Sequence, residues 1–303
     1  MKTSVDIHTY MQDRKRAVEN ALRDVFPEGG DVPLKLREAM DYSLLAGGKR
    51  LRPILVLAAA EAVAGSEAAS GRAIDFACAV EMIHTYSLIH DDLPAMDNDD
   101  YRRGRPTNHK IFGDAMAILA GDGLLTHAFH VVSRAAARGV ATERVLAVVS
   151  ELSAYAGLTG MVGGQVSDML GEQGITSLEQ LEHIHLRKTS DLISFSLRAG
   201  GHASEADERQ LKALGTFGRN VGLAFQIQDD ILDLTGTEEK LGKPVKSDER
   251  QQKVTYPYLI GLDESRKRVA ELTNEARDAL IGGGLAMPDR LLDISDVLLN
   301  RDH

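Results

Sequence analysis

Residues 73–97 read AIDFACAVEMIHTYSLIHDDLPAMD, and the fold follows from how that string changes character along its length. Phe76, Val80, Ile83 and Leu88 recur at spacings that approximate one face of a helix. The apolar run then gives way to carboxylates, Asp91, Asp92 and Asp97, with Asn98, Asp99 and Asp100 behind them. The C-terminal end of a helix carries partial negative charge, so carboxylates gathered there are unfavourable unless something positive compensates.

A second helical stretch, running from Glu208, ends the same way in Asp229-Asp230-Ile231-Leu232-Asp233. Asp229 and Asp233 are four apart and share a face, which Gln226 joins three residues earlier. In the first stretch His84 lies seven before Asp91, again on one face. Hard oxygen ligands arranged in this way suit Mg²⁺, which takes a few carboxylates together with water and substrate phosphates. Asp91, Asp92, Asp97, Asp229, Asp230 and Asp233 are therefore the candidate metal ligands, and Asp99 and Asp100 read as solvated loop. A calcium-binding EF-hand opening at Asp97 is excluded, because its sixth position is Arg102 and its twelfth is Asn108.

Working outward, helical periodicity covers about 114–137, 142–156, 177–199 and 265–281 as well. Glycines at Gly47-Gly48, Gly160 to Gly164, Gly200-Gly201 and Gly282 to Gly284 punctuate the helices. There is no convincing strand run, no fixed-period repeat and no long Pro/Gly/Ser linker. The expected architecture is all-α, residues 1–303 forming one domain of ten or more helices.

The composition narrows the partners. With 35 basic and 45 acidic side chains the net charge is −10, which argues against a general nucleic-acid binder. The N-terminus has no signal-peptide pattern, and continuous apolar runs such as Pro53 to Ala60 are too short to span a bilayer. No integral membrane segment is expected. Cys78, the single cysteine, lies among apolar neighbours and reads as a small core residue in a cytoplasmic protein.

An acidic site binds an anion only through metals or nearby cations, and the chain supplies cations. Gly47-Gly48-Lys49-Arg50-Leu51-Arg52-Pro53 is a glycine-opened basic turn, and Arg102-Arg103-Gly104-Arg105 follows the first acidic cluster directly. Lys188-Thr189, Lys243 and Lys253 follow later. Arginine forks and lysine point charges both suit phosphate oxygens. The basic turn is not a nucleotide P-loop: Ser43 stands where that motif needs its first glycine, and Arg50 where it needs Ser or Thr.

Taken together these residues resemble the trans-prenyltransferases, the polyprenyl diphosphate synthases, and most of all their bacterial short-chain members. The resemblance runs through nearly the whole chain and includes 47–53, 87–97, Arg102-Arg103-Gly104, Gly163-Gly164-Gln165, Lys188-Thr189, 225–233, and Lys253 with Thr255-Tyr256-Pro257. It implies an isoprenoid-synthase-type helical bundle around a central cavity, usually homodimeric, that joins an allylic diphosphate to isopentenyl diphosphate with Mg²⁺. By match, the aspartates would hold the metal. Arg102, Lys188 and Lys253 would hold the allylic diphosphate, and Lys243 would belong to the substrate site. Lys49, Arg52, His84 and Arg103 would hold isopentenyl diphosphate, and Gly48 would belong to the substrate site. Lys188, Thr189 and Gln226 would lie near the developing allylic cation, and Gln165 would belong to the substrate site. One stretch departs from the family pattern: in Gly242-Lys243-Pro244-Val245-Lys246-Ser247-Asp248, Lys246 replaces a glycine and Pro244 stiffens the turn.

Product length is expected to depend on what blocks the tunnel that receives the growing tail. Tyr86 lies five residues before Asp91, about 7 Å down the helix axis, next to the small Ser87. In the resembling family an aromatic there goes with the fifteen-carbon product, farnesyl diphosphate. Geranylgeranyl diphosphate is the alternative product. A terpene cyclase and a non-catalytic regulatory subunit are the alternative functions. Lys49, Arg52 and Arg103 argue against the cyclase, and two intact aspartate clusters against the subunit.

Overall fold

The computed structural model describes residues 6–27, 31–171, 174, 177–235 and 254–299. Helix α1 (Ile7–Arg23) opens on Asp6, whose carboxylate accepts hydrogen bonds from the amides of His8 and Thr9. It is followed by α2 (Leu34–Leu44), α3 (Leu51–Ala64) and α4 (Ser70–Asp91). After a hairpin come α5 (Asn108–Phe112), α6 (Asp114–Arg134), α7 (Thr142–Ala156) and α8 (Met161–Gly171). Helix α9 (Leu178–His185) runs through a π-helical turn, Leu186–Ser190, into α10 (Asp191–Ala203). Helices α11 (Glu208–Thr235), α12 (Tyr256–Ile260), α13 (Leu262–Gly282) and α14 (Asp289–Leu299) complete the order.

Helix α3 is apolar all round, as a helix at the centre of a bundle must be. Ten of its fourteen residues are buried. Val56, Leu57 and Ala60 join one hydrophobic cluster with α1, α2, α4, α6 and α7. Ile54, Leu55 and Ala58 join a second cluster with α11, α13 and α14. Helix α10 divides its side chains in the same way, Phe195 to the first cluster and Leu197 to the second. The two helices touch closely: a Cβ at Gly200 would lie 2.1 Å from the Val56 carbonyl oxygen. Each fully buried Leu, Ile or Phe in these layers contributes about 1.5–3 kcal/mol relative to an exposed one.

Two features differ from the reading above. A two-stranded hairpin pairs β1 (Tyr101–Arg102) with β2 (Arg105–Pro106) through Arg103-Gly104, both with positive φ. Two-residue strands are too short to show alternation, so periodicity alone misses them. Second, α6 with its continuation (Asp114–Arg138) and the span Thr142–Gly171 are long and apolar enough, by length and composition alone, to cross a membrane. The earlier expectation counted only unbroken apolar runs. Both spans carry charges, among them Asp122, Arg134, Glu143 and Glu151, and both bury one face in the bundle.

Candidate active site

Helix α4 carries both ends of the site. Near its middle, His84 faces a cleft of about 1270 Å³. Gly48, Lys49, Arg52 and Arg103 line the same cleft, so the four residues expected at isopentenyl diphosphate converge, together with Gly48, Thr189 and Phe225. Burial, reinforced by Arg52 and Arg103, holds the His84 pKa well below the ordinary histidine value, so the ring is neutral near pH 7. Burial also lowers the Arg52 guanidinium, with Glu81 pulling upward and Arg103 downward. Arg52 Nε is buried without a hydrogen-bond partner. Arg103 donates to the Gly47 carbonyl, and a Cβ at Gly48 would meet its guanidinium at 2.5 Å.

Seven residues further along α4, about 10 Å at 1.5 Å per residue, Asp91 ends the helix. The chain then folds back so that the Asp97 amide donates to the Asp91 carbonyl at 2.8 Å. Asn98 takes a left-handed conformation at φ 54° as it leaves that turn. Burial pushes the Asp91 carboxyl up to about 6, Lys188 pulling it down and Asp97 pushing it up. Lys188 reaches this corner from the π-helical turn and donates from Nζ to Asp168 Oδ2 at 2.6 Å. Burial opposes its charge, but Asp168, with Asp91 and Asp97 beyond, raises it above the ordinary lysine value.

Glycines make room for the π turn. A Cβ at Gly164 of α8 would lie 2.5 Å from the Lys188 amide nitrogen, and one at Gly222 of α11 would lie 2.7 Å from Ser190 Cα. An extra residue in a helical turn of this kind is frequently found at functional sites. Here it places Lys188 beside the carboxylates and Thr189 on the cleft. Gln165 sits on α8 one turn before Asp168, and Gln226, Asp229 and Asp233 follow one face of α11.

Two expected ligands have protein partners in the structure. Asp92, 3% exposed, is taken by Arg102, with Nη2–Oδ1 at 2.6 Å and Nε–Oδ1 at 2.8 Å. Asp230, also buried, accepts the Tyr256 amide at 2.8 Å and lies 3.3 Å from His185 Nε2. Asp230 thereby ties the start of α12 to α11. On helix geometry Asp230 is turned about 100° from Asp229, a distinction that the doubled aspartates hide. Lys243, Lys253 and the 242–248 loop lie outside the described residues.

Among the described residues no three His, Cys, Asp or Glu side chains converge as a closed metal cage. Asp91, partly buried, and the exposed Asp97, whose charge acts on it, form an open pair of the kind that suits Mg²⁺, which keeps several positions for water and substrate phosphates. Tyr86 is 6% exposed and meets the His90 ring edge-on at 5.8 Å, while the Ser87 hydroxyl donates to the His84 carbonyl at 2.9 Å. Burial, with Asp91 nearby, pushes the Tyr86 hydroxyl up to about 12. Sequence reasoning missed Asp168, Glu81 and the inward turn of Arg50; only the three-residue step from Gln165 to Asp168 offered a hint.

A helical bundle with a cationic cleft next to a carboxylate-lined corner defines a class that handles diphosphates. Residues 33–280 match the polyprenyl synthetase family, and the chain belongs to it. It is similar to farnesyl diphosphate synthase of Bacillus subtilis (strain 168), 49% identical over 295 residues covering 97% of this chain and 98% of that protein. The chloroplastic geranylgeranyl pyrophosphate synthase of Catharanthus roseus is 45% identical over 303 residues, covering 99% of this chain and 83% of that one. Among solved structures, a geranyltransferase from Helicobacter pylori complexed with magnesium and isoprenyl diphosphate superposes with a TM-score of 0.81. It is 35% identical, with 99% of this chain and 98% of that chain covered. The expected family and all-helical fold both hold.

Proposed function

We propose that this protein condenses dimethylallyl or geranyl diphosphate with isopentenyl diphosphate to give farnesyl diphosphate. The observation that carries the reading is the convergence of Gly48, Lys49, Arg52, His84 and Arg103 on one cleft beside Thr189, in a chain of this family.

Isopentenyl diphosphate is held in the cleft by Lys49, Arg52 and Arg103, with neutral His84 as a hydrogen-bonding ligand. The allylic diphosphate is held by Lys188 and by Arg102, anchored on Asp92, with Lys243 and Lys253 completing the set. Asp91 and Asp97 on one side, and Asp229 and Asp233 on the other, are the groups that would hold Mg²⁺. When bound, the metal supplies positive charge next to the departing diphosphate. The allylic C–O bond breaks, and Thr189 and Gln226 face the resulting cation from the π turn and α11. The double bond of isopentenyl diphosphate attacks to form the new C–C bond. A proton then leaves the adjacent carbon, with the released diphosphate as its acceptor. An apolar cavity around the tail would exclude water that otherwise traps the cation.

Residues 1–303 are read as one catalytic unit, because α3 and α10 feed both core clusters. A homodimer is proposed on the exposed apolar side chains of α6, α7 and α8, among them Leu119 (52% exposed), Leu146 (67%) and Leu170 (60%). The one buried cysteine, Cys78, suits a reducing compartment, and the cytoplasm is the proposed setting.

The deciding experiment incubates the purified chain with dimethylallyl diphosphate, labelled isopentenyl diphosphate and Mg²⁺ and sizes the products. A C15 product, abolished by chelator, is expected. A dominant C20 product would favour the geranylgeranyl reading, which the similarity to the Catharanthus roseus protein keeps in view.

A further inference from the structure

Arg50 lines the cleft beside Lys49 and Arg52, but its guanidinium is committed to protein partners. It is a non-glycine residue in left-handed conformation (φ 51°, ψ 33°) at the N-cap of α3, and only 3% exposed. Its guanidinium reaches three other helices. Nη1 donates to Glu81 Oε1 of α4 at 2.6 Å, Nη2 to the Leu44 carbonyl at the end of α2 at 2.8 Å, and Nε lies 3.7 Å from Glu19 of α1. Such a backbone conformation persists in a bulky side chain only when its surroundings over-determine it. Gly47 (φ 81°) and Gly48 (φ 133°) precede it, so the turn depends on three residues of unusual conformation. At only one of them is that conformation held by side-chain bonds.

We propose that the buried Arg50–Glu81 pair is the positioning device of the isopentenyl diphosphate site. It pins the left-handed residue between Lys49 and Arg52 and so aims both into the cleft. Glu81, itself 3% exposed, also interacts with Arg52 and Arg103, so one carboxylate steadies the whole cationic group. The inference rests on the reading of this cleft as the isopentenyl diphosphate site.

Charge and position make opposite predictions, which gives a clean test. Glu81 is an anion inside a cationic anion-binding cluster. If only charge mattered, Glu81→Gln would tighten diphosphate binding; if the pair positions the turn, it weakens it. Binding of inorganic diphosphate without metal should be measured by calorimetry for the intact protein, Glu81→Gln, Arg50→Gly and Arg50→Lys. Glu81→Gln is expected to weaken binding about tenfold. Arg50→Gly, which accepts the left-handed backbone but lacks the fork, should weaken it as much, and Arg50→Lys should fall between. In steady-state assays the KM for isopentenyl diphosphate should rise about tenfold while that for dimethylallyl diphosphate stays within about twofold. Thermal melting identifies any variant that fails to fold, and Glu81→Gln and Arg50→Lys stay informative if Arg50→Gly does. Unchanged or tighter diphosphate binding by Glu81→Gln overturns the inference, as does an equal rise in both KM values. Failure of the unaltered protein to make any prenyl product would instead defeat the functional reading.

Discussion

Asp91 shows what a single residue can and cannot disclose. Its position at the end of an apolar helix marked it as chemically active, because a carboxylate there is disfavoured without a partner. The structure adds its company: Lys188 and Asp97, and a carboxyl held up to about 6 by burial. Asp91→Asn should lower kcat at least about a hundredfold while leaving the melting temperature of the metal-free protein unchanged or higher, since a partly desolvated charge is removed. Steady-state rates and calorimetry check both halves. Asp168→Asn should lower kcat by about tenfold or more, because Lys188 loses its 2.6 Å partner. Tyr86→Ala should shift the product from C15 toward C20, read by chromatography; an unchanged distribution would remove Tyr86 as the tunnel floor. The doubled aspartates were the least legible part of the site. Asp92 and Asp230 look identical to their neighbours on paper, yet one holds Arg102 and the other caps α12.

At the level of elements, apolar periodicity located most helices well. The segment 142–156 coincides with α7, and 208–234 with α11 to within one residue. The stretch 177–199 was read as one helix, but it is α9, a π turn and α10. One additional residue in a turn leaves the apolar spacing almost unchanged, so the feature that presents Lys188 and Thr189 was invisible. Gly164→Ala should show its importance: a methyl 2.5 Å from the Lys188 amide forces the turn to shift, and kcat should fall along with thermal stability. The link between α7 and α10 predicts a pH effect. Burial would raise Glu151, but hydrogen bonds from His202 and Arg198 hold it down to about 2, against an ordinary 4.5. Its stabilising contribution is therefore complete above about pH 4.5 and is lost as pH falls toward 2. A displacement of this size corresponds to about 3 kcal/mol. Denaturation of Glu151→Gln should show a correspondingly flatter acid limb.

Across the whole molecule, the net charge of −10 conceals a cleft lined with Lys49, Arg52 and Arg103, a contrast that composition cannot reveal. The exposed apolar faces of α6 to α8 were equally hidden, because single helices look amphipathic until their neighbours are known. If those faces pair two copies, light scattering should report about twice the 32.9 kDa chain mass. Leu146→Glu should then shift the population toward monomer.

Helix α4 carries His84 on one side of the chemistry and Asp91 on the other, with no break between them. A continuous α-helix serves as a ruler graduated in fixed steps. On the proposed roles of His84 and Asp91, the interval between the two diphosphates would therefore be set by counting residues, not by the softness of loops. One inserted residue would lengthen the interval by about 1.5 Å and swing one end about 100° away from the other. If Tyr86 is the tunnel floor, a side chain between those two positions could be exchanged to admit a longer tail without altering the interval itself.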